Sequence, residues 1–193
     1  MGTRLTPGRL LFCAAAIVAL VSVLSACGGG SDAGTAKDPP LKKYSDQSVS
    51  FTYPSAWTAS APTGPSELHF DPLVYLATQP VGAPCVVQGN ETSCDWPIKN
   101  LDPGGVLALW QIPYQLPTIG KVVHPGTKIE VGGRPAWIQN TVGGDCRRIG
   151  ATRTINVDMA KGLALTVCLR APGIAQAEKS VNALLASVKF ASQ

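Results

Sequence analysis

Two hydrophobic patterns divide the chain. The residues from Leu10 to Leu24 are almost all apolar, whereas from residue 48 onward apolar and polar residues alternate. The first run is shorter than the ~20 residues that a helix needs to cross a bilayer core. It follows Arg4 and Arg9, and a basic start before a short apolar run is typical of a secretory signal, so we predict a signal peptide over residues 1–26.

The end of this run resembles the bacterial lipobox, whose cysteine thiol is acylated by diacylglycerol before cleavage. The four residues that carry the resemblance are Leu24, Ser25, Ala26 and Cys27. An ordinary secretory cleavage site is the alternative, but Cys27 directly follows the apolar run. The acyl chains of a lipoprotein give stable anchoring. We therefore predict lipid attachment at Cys27 and a location on the extracytoplasmic face of the cell membrane.

The segment after Cys27 is rich in Gly and contains no large apolar residue up to Pro40. Such a segment cannot order itself by burying apolar surface. We predict a flexible tether over residues 27–43 and a single globular domain over residues 44–193. Removing the signal takes two of the 16 basic residues and none of the 12 acidic ones, which leaves a net charge of about +2. This charge and the absence of a basic stripe argue against nucleic acid as a partner.

Period-two alternation predicts a β-rich domain with one helix. Gly132-Gly133 is a hairpin turn signal, and Pro135 just after it predicts that its strand is an edge or bulged. One amphipathic helix is predicted from Ile174 to about Ser187. The fold class expected is α+β, an antiparallel sheet packed by this C-terminal helix. The candidate strands begin with Val49–Tyr53 and continue with residues 67–70, 73–78, 106–112, 127–131, 134–141, 153–159 and 163–169.

Four cysteines lie in the predicted domain, and an even number outside the cytoplasm indicates disulfides. A turn at Gly89-Asn90 places Cys85 opposite Cys94 in a non-hydrogen-bonded pair, close enough for a disulfide. Elimination then pairs Cys146 with Cys168. A plain hairpin sets Cys168 opposite Thr154, so this second bridge requires the chain at Cys146 to fold back, which Gly143-Gly144 permits. No cysteine has the spacing of a metal or redox motif, and we predict no metal and no cofactor.

Three segments together resemble actinobacterial lipoproteins with a PsbP-like α/β/α sandwich domain. They are the opening Tyr-Ser-Asp-Gln-Ser-Val-Ser-Phe-Thr-Tyr-Pro-Ser-Ala-Trp (44–57), the central Val-Gly-Gly-Arg-Pro-Ala-Trp (131–137), and the ending Leu-Leu-Ala-Ser-Val-Lys-Phe (184–190). The resemblance spans most of residues 44–190, but not the cysteines or residues 80–102. It implies a sandwich fold and a non-enzymatic accessory or binding role, and it carries over no catalytic residue.

Candidate functional residues are few. The segment Gly143–Arg148, with guanidinium groups at Arg147 and Arg148, is a possible anion site, although a solvated loop pinned by a disulfide is the favoured interpretation. His69 and His124 are the only histidines, and neither lies in a hydrolase motif. Three aromatic residues are candidates for lining a lipid or glycan pocket: Trp110, Tyr114 and Trp137.

These features favour a membrane-anchored envelope lipoprotein that binds or assembles an envelope lipid, glycolipid or protein partner without being an enzyme. Two alternatives stay open. The first is an extracytoplasmic hydrolase that uses His69 or His124, and the second is a structural spacer domain. A spacer predicts no pocket deep enough to enclose a ligand.

The anchor can be tested by intact mass after expression in an actinobacterial host. The mature protein is expected to begin at Cys27 and to carry the mass of its acyl chains, because the lipobox thiol is acylated before cleavage. Cys27→Ala is expected to lose both the acyl mass and the processing. A wild-type mass without acyl chains would contradict the membrane anchor and indicate a freely secreted protein.

Overall fold

The computed structural model describes residues 39–63, 70–89, 91–113, 124–159 and 162–191. The signal peptide, Cys27 with its lipobox, most of the tether, His69 and Tyr114 therefore lie outside the described residues. The described residues all belong to one compact unit, Asp38–Gln193. None of the helices among them is long and apolar enough to span a bilayer.

Seven strands form the main sheet, in the order β3-β4-β7-β11-β10-β9-β8, and every neighbouring pair is antiparallel. Antiparallel neighbours suit the short turns that the sequence predicts. The strands are β3 (Thr58–Ser60), β4 (Phe70–Ala77), β7 (Val106–Pro113), β8 (Thr127–Val131), β9 (Arg134–Val142), β10 (Arg153–Met159) and β11 (Leu163–Leu169).

The remaining strands of the described residues form two smaller sheets. A three-stranded sheet has the order β1-β2-β12, and a two-stranded ribbon joins β5 to β6. A 3₁₀ helix (Gly144–Ile149) lies between β9 and β10, and helix α1 (Ile174–Ser187) precedes the last strand. The strands are β1 (Leu41–Ser45), β2 (Val49–Pro54), β5 (Cys85–Gln88), β6 (Glu91–Cys94) and β12 (Lys189–Phe190).

The predicted β8–β9 hairpin is confirmed, with Gly132 and Gly133 at φ 56° and 76° in its turn and Val131 paired with Arg134. Positive φ at both turn residues explains the two glycines. The prediction that the strand of Pro135 is an edge or bulged is wrong, because β9 lies between β8 and β10. Proline has no N–H to donate to a neighbouring strand. Pro135 is tolerated because the pairing of β9 with β10 ends at Ala136, so no hydrogen bond from residue 135 to β10 is required.

Strand β1 begins at Leu41, so the predicted tether ends earlier than Lys43. Four of the five β1 side chains are exposed, and the strand is held by its antiparallel pairing with β2. An exposed strand leaves no alternation of apolar residues in the sequence, which is why the pattern did not reveal it.

The core on one face of the main sheet is centred on a stack of three aromatic rings. The ring of Tyr44 lies 5.0 Å from that of Phe51, which lies 4.8 Å from the ring of Trp110, with interplanar angles of 24° and 13°. These residues come from β1, β2 and β7, so the stack joins the small sheet to the centre of the main sheet. Phe51 and Trp110 are 1% and 0% exposed.

The α+β class predicted from the sequence is wrong. Half of the described residues are in strands and 15% in helices, in three antiparallel sheets. Helix α1 does occupy Ile174–Ser187, and Val181, Leu184 and Leu185 on its apolar stripe are buried. It packs against β2, where the Ser187 hydroxyl accepts a hydrogen bond from the Thr52 N–H at 2.8 Å. The domain is therefore mostly β, and a second sheet beside the helix contributes Val49, Phe51 and Tyr53 to the core.

The opposite face of the main sheet has its own, smaller core. Apolar side chains of β4, β7 and β11 are covered there by the loop through Ile98 and Leu101 and by the 3₁₀ helix. The side chains of Leu101, Cys146 and Cys168 are all 0% exposed. This cover extends over only part of the face, and the candidate site lies at its margin.

The alkaline titration of Tyr44 tests the edge of the ring stack. Its hydroxyl donates to Asp46 Oδ2 at 2.8 Å, and burial, this hydrogen bond and the carboxylate charge raise the pKa of Tyr44 to about 12 from an ordinary 10.0. Because the folded pKa is the higher one, this stabilisation is full below pH 10 and is lost as the pH rises toward 12. Tyr44→Phe should abolish that component of the pH dependence.

The contribution of Asp46 can be separated from that of burial with Asp46→Asn. The amide keeps an oxygen to accept the Ser48 and Val49 N–H bonds, but it removes the charge. The titration of Tyr44 is followed by tyrosinate absorbance, from which the absorbance of Tyr44→Phe is subtracted. In Asp46→Asn the pKa of Tyr44 is expected to fall and yet stay above 10, because the burial of the ring remains. Ionisation of wild-type Tyr44 at its ordinary pKa would contradict this account.

Candidate functional site

The two-stranded ribbon is closed by the first predicted disulfide. Cys85 pairs with Cys94 and Gln88 with Glu91, as the Gly89-Asn90 turn predicts. The Cα atoms of the two cysteines are 4.0 Å apart and their Sγ atoms are bonded. The bridge fixes the start of the segment that follows, Asp95–Pro97, which forms one wall of the site.

The second predicted disulfide, Cys146–Cys168, is also present. Thr154 pairs with Cys168 in the β10–β11 hairpin, and the chain folds back so that Cys146 lies over this pair. The reversal uses Gly143 and Gly144, at φ 71° and 54°, followed by the 3₁₀ helix. The bridge ties this helix to the middle of the main sheet.

A buried hydroxyl holds the same reversal. Thr154 is 0% exposed; its Oγ1 donates to the carbonyl of Gly143 and accepts the N–H of Cys146 at 3.4 Å. A buried polar group is tolerated when both of its hydrogen-bonding capacities are used. The position of the 3₁₀ helix therefore depends on Thr154 as well as on the disulfide.

A pocket of about 290 Å³ lies where the cover of the main sheet ends. Tyr75, Leu109 and Thr166 form its floor. They are directly paired across β4, β7 and β11, and paired residues of an antiparallel sheet share a face. Gln111 lies two residues beyond Leu109 on the same face, so the floor becomes polar toward the end of β7.

The walls of the pocket come from the two disulfide-fixed segments. Asp95 and Trp96 follow the ribbon, while Asp145 and Arg148 belong to the 3₁₀ helix. Arg148 Nη2 lies 3.2 Å from Asp95 Oδ2, and this ion pair connects the two walls. Its side chains are 71% and 59% exposed, so solvent screens the pair and it contributes little to stability.

An open cleft of about 810 Å³ adjoins the pocket and shares Asp95, Trp96 and Arg148 with it. One face of the ribbon lines the cleft. The four residues of this face are Val86, Gln88, Glu91 and Ser93. They alternate along the two strands with residues that point to the opposite side, among them Val87.

The two predicted arginines have different surroundings. Arg148 lines both the pocket and the cleft, whereas Arg147 is exposed and lines neither. Two backbone amides that an anion site over Gly143–Arg148 needs are already used, because Gly143 N–H donates to the Thr152 carbonyl and Cys146 N–H to Thr154. The segment is a structural loop that also supplies a pocket wall.

The predicted aromatic residues are not brought together. Trp110 is in the core, so it is wrong as a pocket-lining residue: its side chain points to the face opposite the pocket and stacks on Phe51. Trp137 is half-buried on β9 and pairs with Lys128. Its ring stacks on His124 with 3.8 Å between centroids.

Five further pocket residues were not predicted from the sequence: Tyr75, Asp95, Trp96, Gln111 and Thr166. No motif contains them, and they lie on four separate segments. Asp95 and Trp96 did carry one usable signal, because they directly follow the predicted Cys85–Cys94 bridge and are therefore fixed in place. In the part of the chain that the structure describes, no group of His, Cys, Asp and Glu could hold a metal ion.

No family model, curated protein or solved structure matches the chain. The resemblance to PsbP-like lipoproteins therefore stays a prediction from the sequence, and the site has to be interpreted from its own geometry.

The role of Thr154 can be tested by comparing Thr154→Val with Thr154→Ser. Valine has a similar shape but removes the buried hydroxyl that donates to the Gly143 carbonyl and accepts from the Cys146 N–H, so it should lower the free energy of unfolding in urea by about 1–3 kcal/mol. Serine keeps the hydroxyl and should cost less. Equal or greater stability of Thr154→Val would show that these hydrogen bonds do not hold the loop.

Proposed function

We propose that this protein is a membrane-anchored envelope lipoprotein that binds an envelope component in the pocket between Asp95–Trp96 and the 3₁₀ helix. The observation that supports it most is the pocket itself, in which an aromatic and several polar side chains from separate segments converge on one cavity. Its volume of about 290 Å³ is just below the ~300–1,000 Å³ range of small-molecule sites. A spacer domain has no need of such a cavity.

The construction of the walls also supports binding. Each wall is fixed by its own disulfide, so the polar groups of the pocket are positioned before any ligand arrives. Pre-organised groups lose little conformational entropy on binding. An isolated loop with the same residues would have to be ordered by its ligand.

No specific observation favours the hydrolase. The described histidine, His124, is stacked on Trp137 and does not line the pocket or the cleft. The second predicted histidine, His69, lies outside the described residues. Binding without turnover is therefore the function that we propose.

Thermal unfolding of the full chain in the presence of envelope fractions tests the proposal. Three fractions from the host are added separately: an organic-solvent lipid extract, solubilised cell-wall glycan, and detergent-solubilised membrane proteins. A ligand at about one hundred times its Kd stabilises the folded state by about 2.7 kcal/mol. For a chain of this size we expect one fraction to raise the Tm by about 5–10 °C.

Matched variants locate the binding. Trp96→Ala and Arg148→Ala remove pocket side chains and should abolish the shift, whereas Arg147→Ala removes the neighbouring exposed charge and should keep it. If no fraction shifts the wild-type Tm, or if all three variants respond like the wild type, the pocket is not a binding site and the proposal fails.

A further inference from the structure

We propose that the pocket and the cleft together bind one elongated ligand, a neutral oligosaccharide. One sugar residue occupies the pocket beside Trp96, and the following residues lie in the cleft against the ribbon. This inference rests on the proposed function, because it names the ligand class of the same site.

The pocket and the cleft are adjacent and share part of their lining. Asp95, Trp96 and Arg148 line both. The ion pair between Asp95 and Arg148 is mostly exposed, and such a pair is worth about 0–1 kcal/mol. A ligand that extends from the pocket into the cleft can therefore replace this interaction at little cost, and it gains contacts with the three shared side chains.

The side chains of the pocket match a sugar ring. A pyranose has apolar C–H faces that pack on aromatic rings, and its edges carry hydroxyl groups that both donate and accept. Trp96 offers the aromatic surface, and the planar groups of Asp145, Arg148 and Gln111 offer paired acceptors and donors. Hydrogen bonds from hydroxyls to the charged groups are the stronger ones.

The side-chain amide of Gln111 lacks one hydrogen-bond donor among the described residues. Its Oε1 is buried, and no described residue donates a hydrogen bond to it. A buried acceptor without a donor costs about 1–3 kcal/mol. Because Gln111 lines the pocket, a sugar residue that enters it brings hydroxyl groups close to this amide, and one of them can donate the missing hydrogen bond.

The charge of the site disfavours an anion and an acyl chain. In the pocket Asp95 and Asp145 outnumber Arg148, and in the cleft Glu91 offsets Lys99. Phosphate would meet one guanidinium that is already paired and an excess of carboxylate. A lipid chain would bury these polar groups without hydrogen bonds.

The cleft also disfavours an extended peptide. Peptides that add a strand bind to the free edge of a sheet through main-chain hydrogen bonds. Here the ribbon turns a face toward the cleft, with the side chains of Val86, Gln88 and Glu91 in front. Side-chain contacts with a polyhydroxylated chain suit this surface better.

The test uses the isotope-labelled full chain in micelles of a detergent without a sugar headgroup. The probes are maltotetraose, cellotetraose and chitotetraose with their monosaccharides, then inorganic phosphate, dihexanoyl phosphatidylglycerol and a mixed peptide library. The chain has four tryptophans, and Trp96→Phe assigns the indole N–H signal of Trp96. We expect at least one neutral tetrasaccharide to shift this signal and to bind about tenfold more tightly than its monosaccharide.

A pair of ribbon variants tests the two-part groove. Val86 faces the cleft and Val87 faces away, and both are exposed, at 55% and 58%. Val86→Arg should weaken tetrasaccharide binding about tenfold and leave monosaccharide binding unchanged. Val87→Arg should change neither, and cooperative unfolding of both variants shows that the ribbon is intact.

The outcomes separate this inference from the proposed function. If phosphate, the lipid or the peptides shift Trp96 and no neutral sugar does, the oligosaccharide is wrong while the pocket remains a binding site. Equal effects of Val86→Arg and Val87→Arg overturn the two-part groove. If no probe shifts Trp96 and no envelope fraction stabilises the chain, both proposals fail.

Discussion

The stack of Tyr44, Phe51 and Trp110 is the interaction on which the arrangement of the domain depends. Two of its rings belong to β1 and β2 of the small sheet, and the third belongs to β7 of the main sheet, which is distant from them in sequence. A fully buried Trp and Phe bring large apolar areas into contact, and their parallel rings fix the relative position of the sheets. With this face of the main sheet covered by the small sheet and by α1, the other face is left for a separate cover.

That cover consists of segments with little regular structure, and covalent and polar links hold it in place. The two disulfides fix the ribbon and the 3₁₀ helix, and Thr154 satisfies the backbone of the reversal between them. Leu101 and Cys146 complete the apolar contact with the sheet. Because this cover ends at the row of Tyr75, Leu109 and Thr166, its margin becomes a pocket with a rigid floor.

Local features of the domain could be predicted from the sequence, and its assembly could not. The helix at Ile174–Ser187, the Gly132-Gly133 hairpin and both disulfides follow from periodicity, turn residues and register. The second sheet was missed because four of the five β1 side chains are exposed, so β1 shows no alternation of apolar residues that would predict a strand paired with β2. Trp110 was wrongly predicted to line a pocket for a related reason. Alternation divides the side chains of a strand between two faces, but both faces of β7 are apolar, so the sequence does not show which face the main core covers.

The pocket could not be predicted from the sequence because it depends on the assembly of the domain and not on local features. Its residues share no motif, since each is placed by a different contact: Thr166 by the β11 register, Arg148 by a disulfide two residues away, and Trp96 by the end of the ribbon. Polar groups gathered in this way are not needed by the core, which is complete without them. A cover that served only to bury the sheet would end in apolar residues packed against it. Here it ends in a weak, exposed ion pair beside an aromatic ring, an arrangement that adds little stability and leaves the hydrogen-bonding groups available to a ligand.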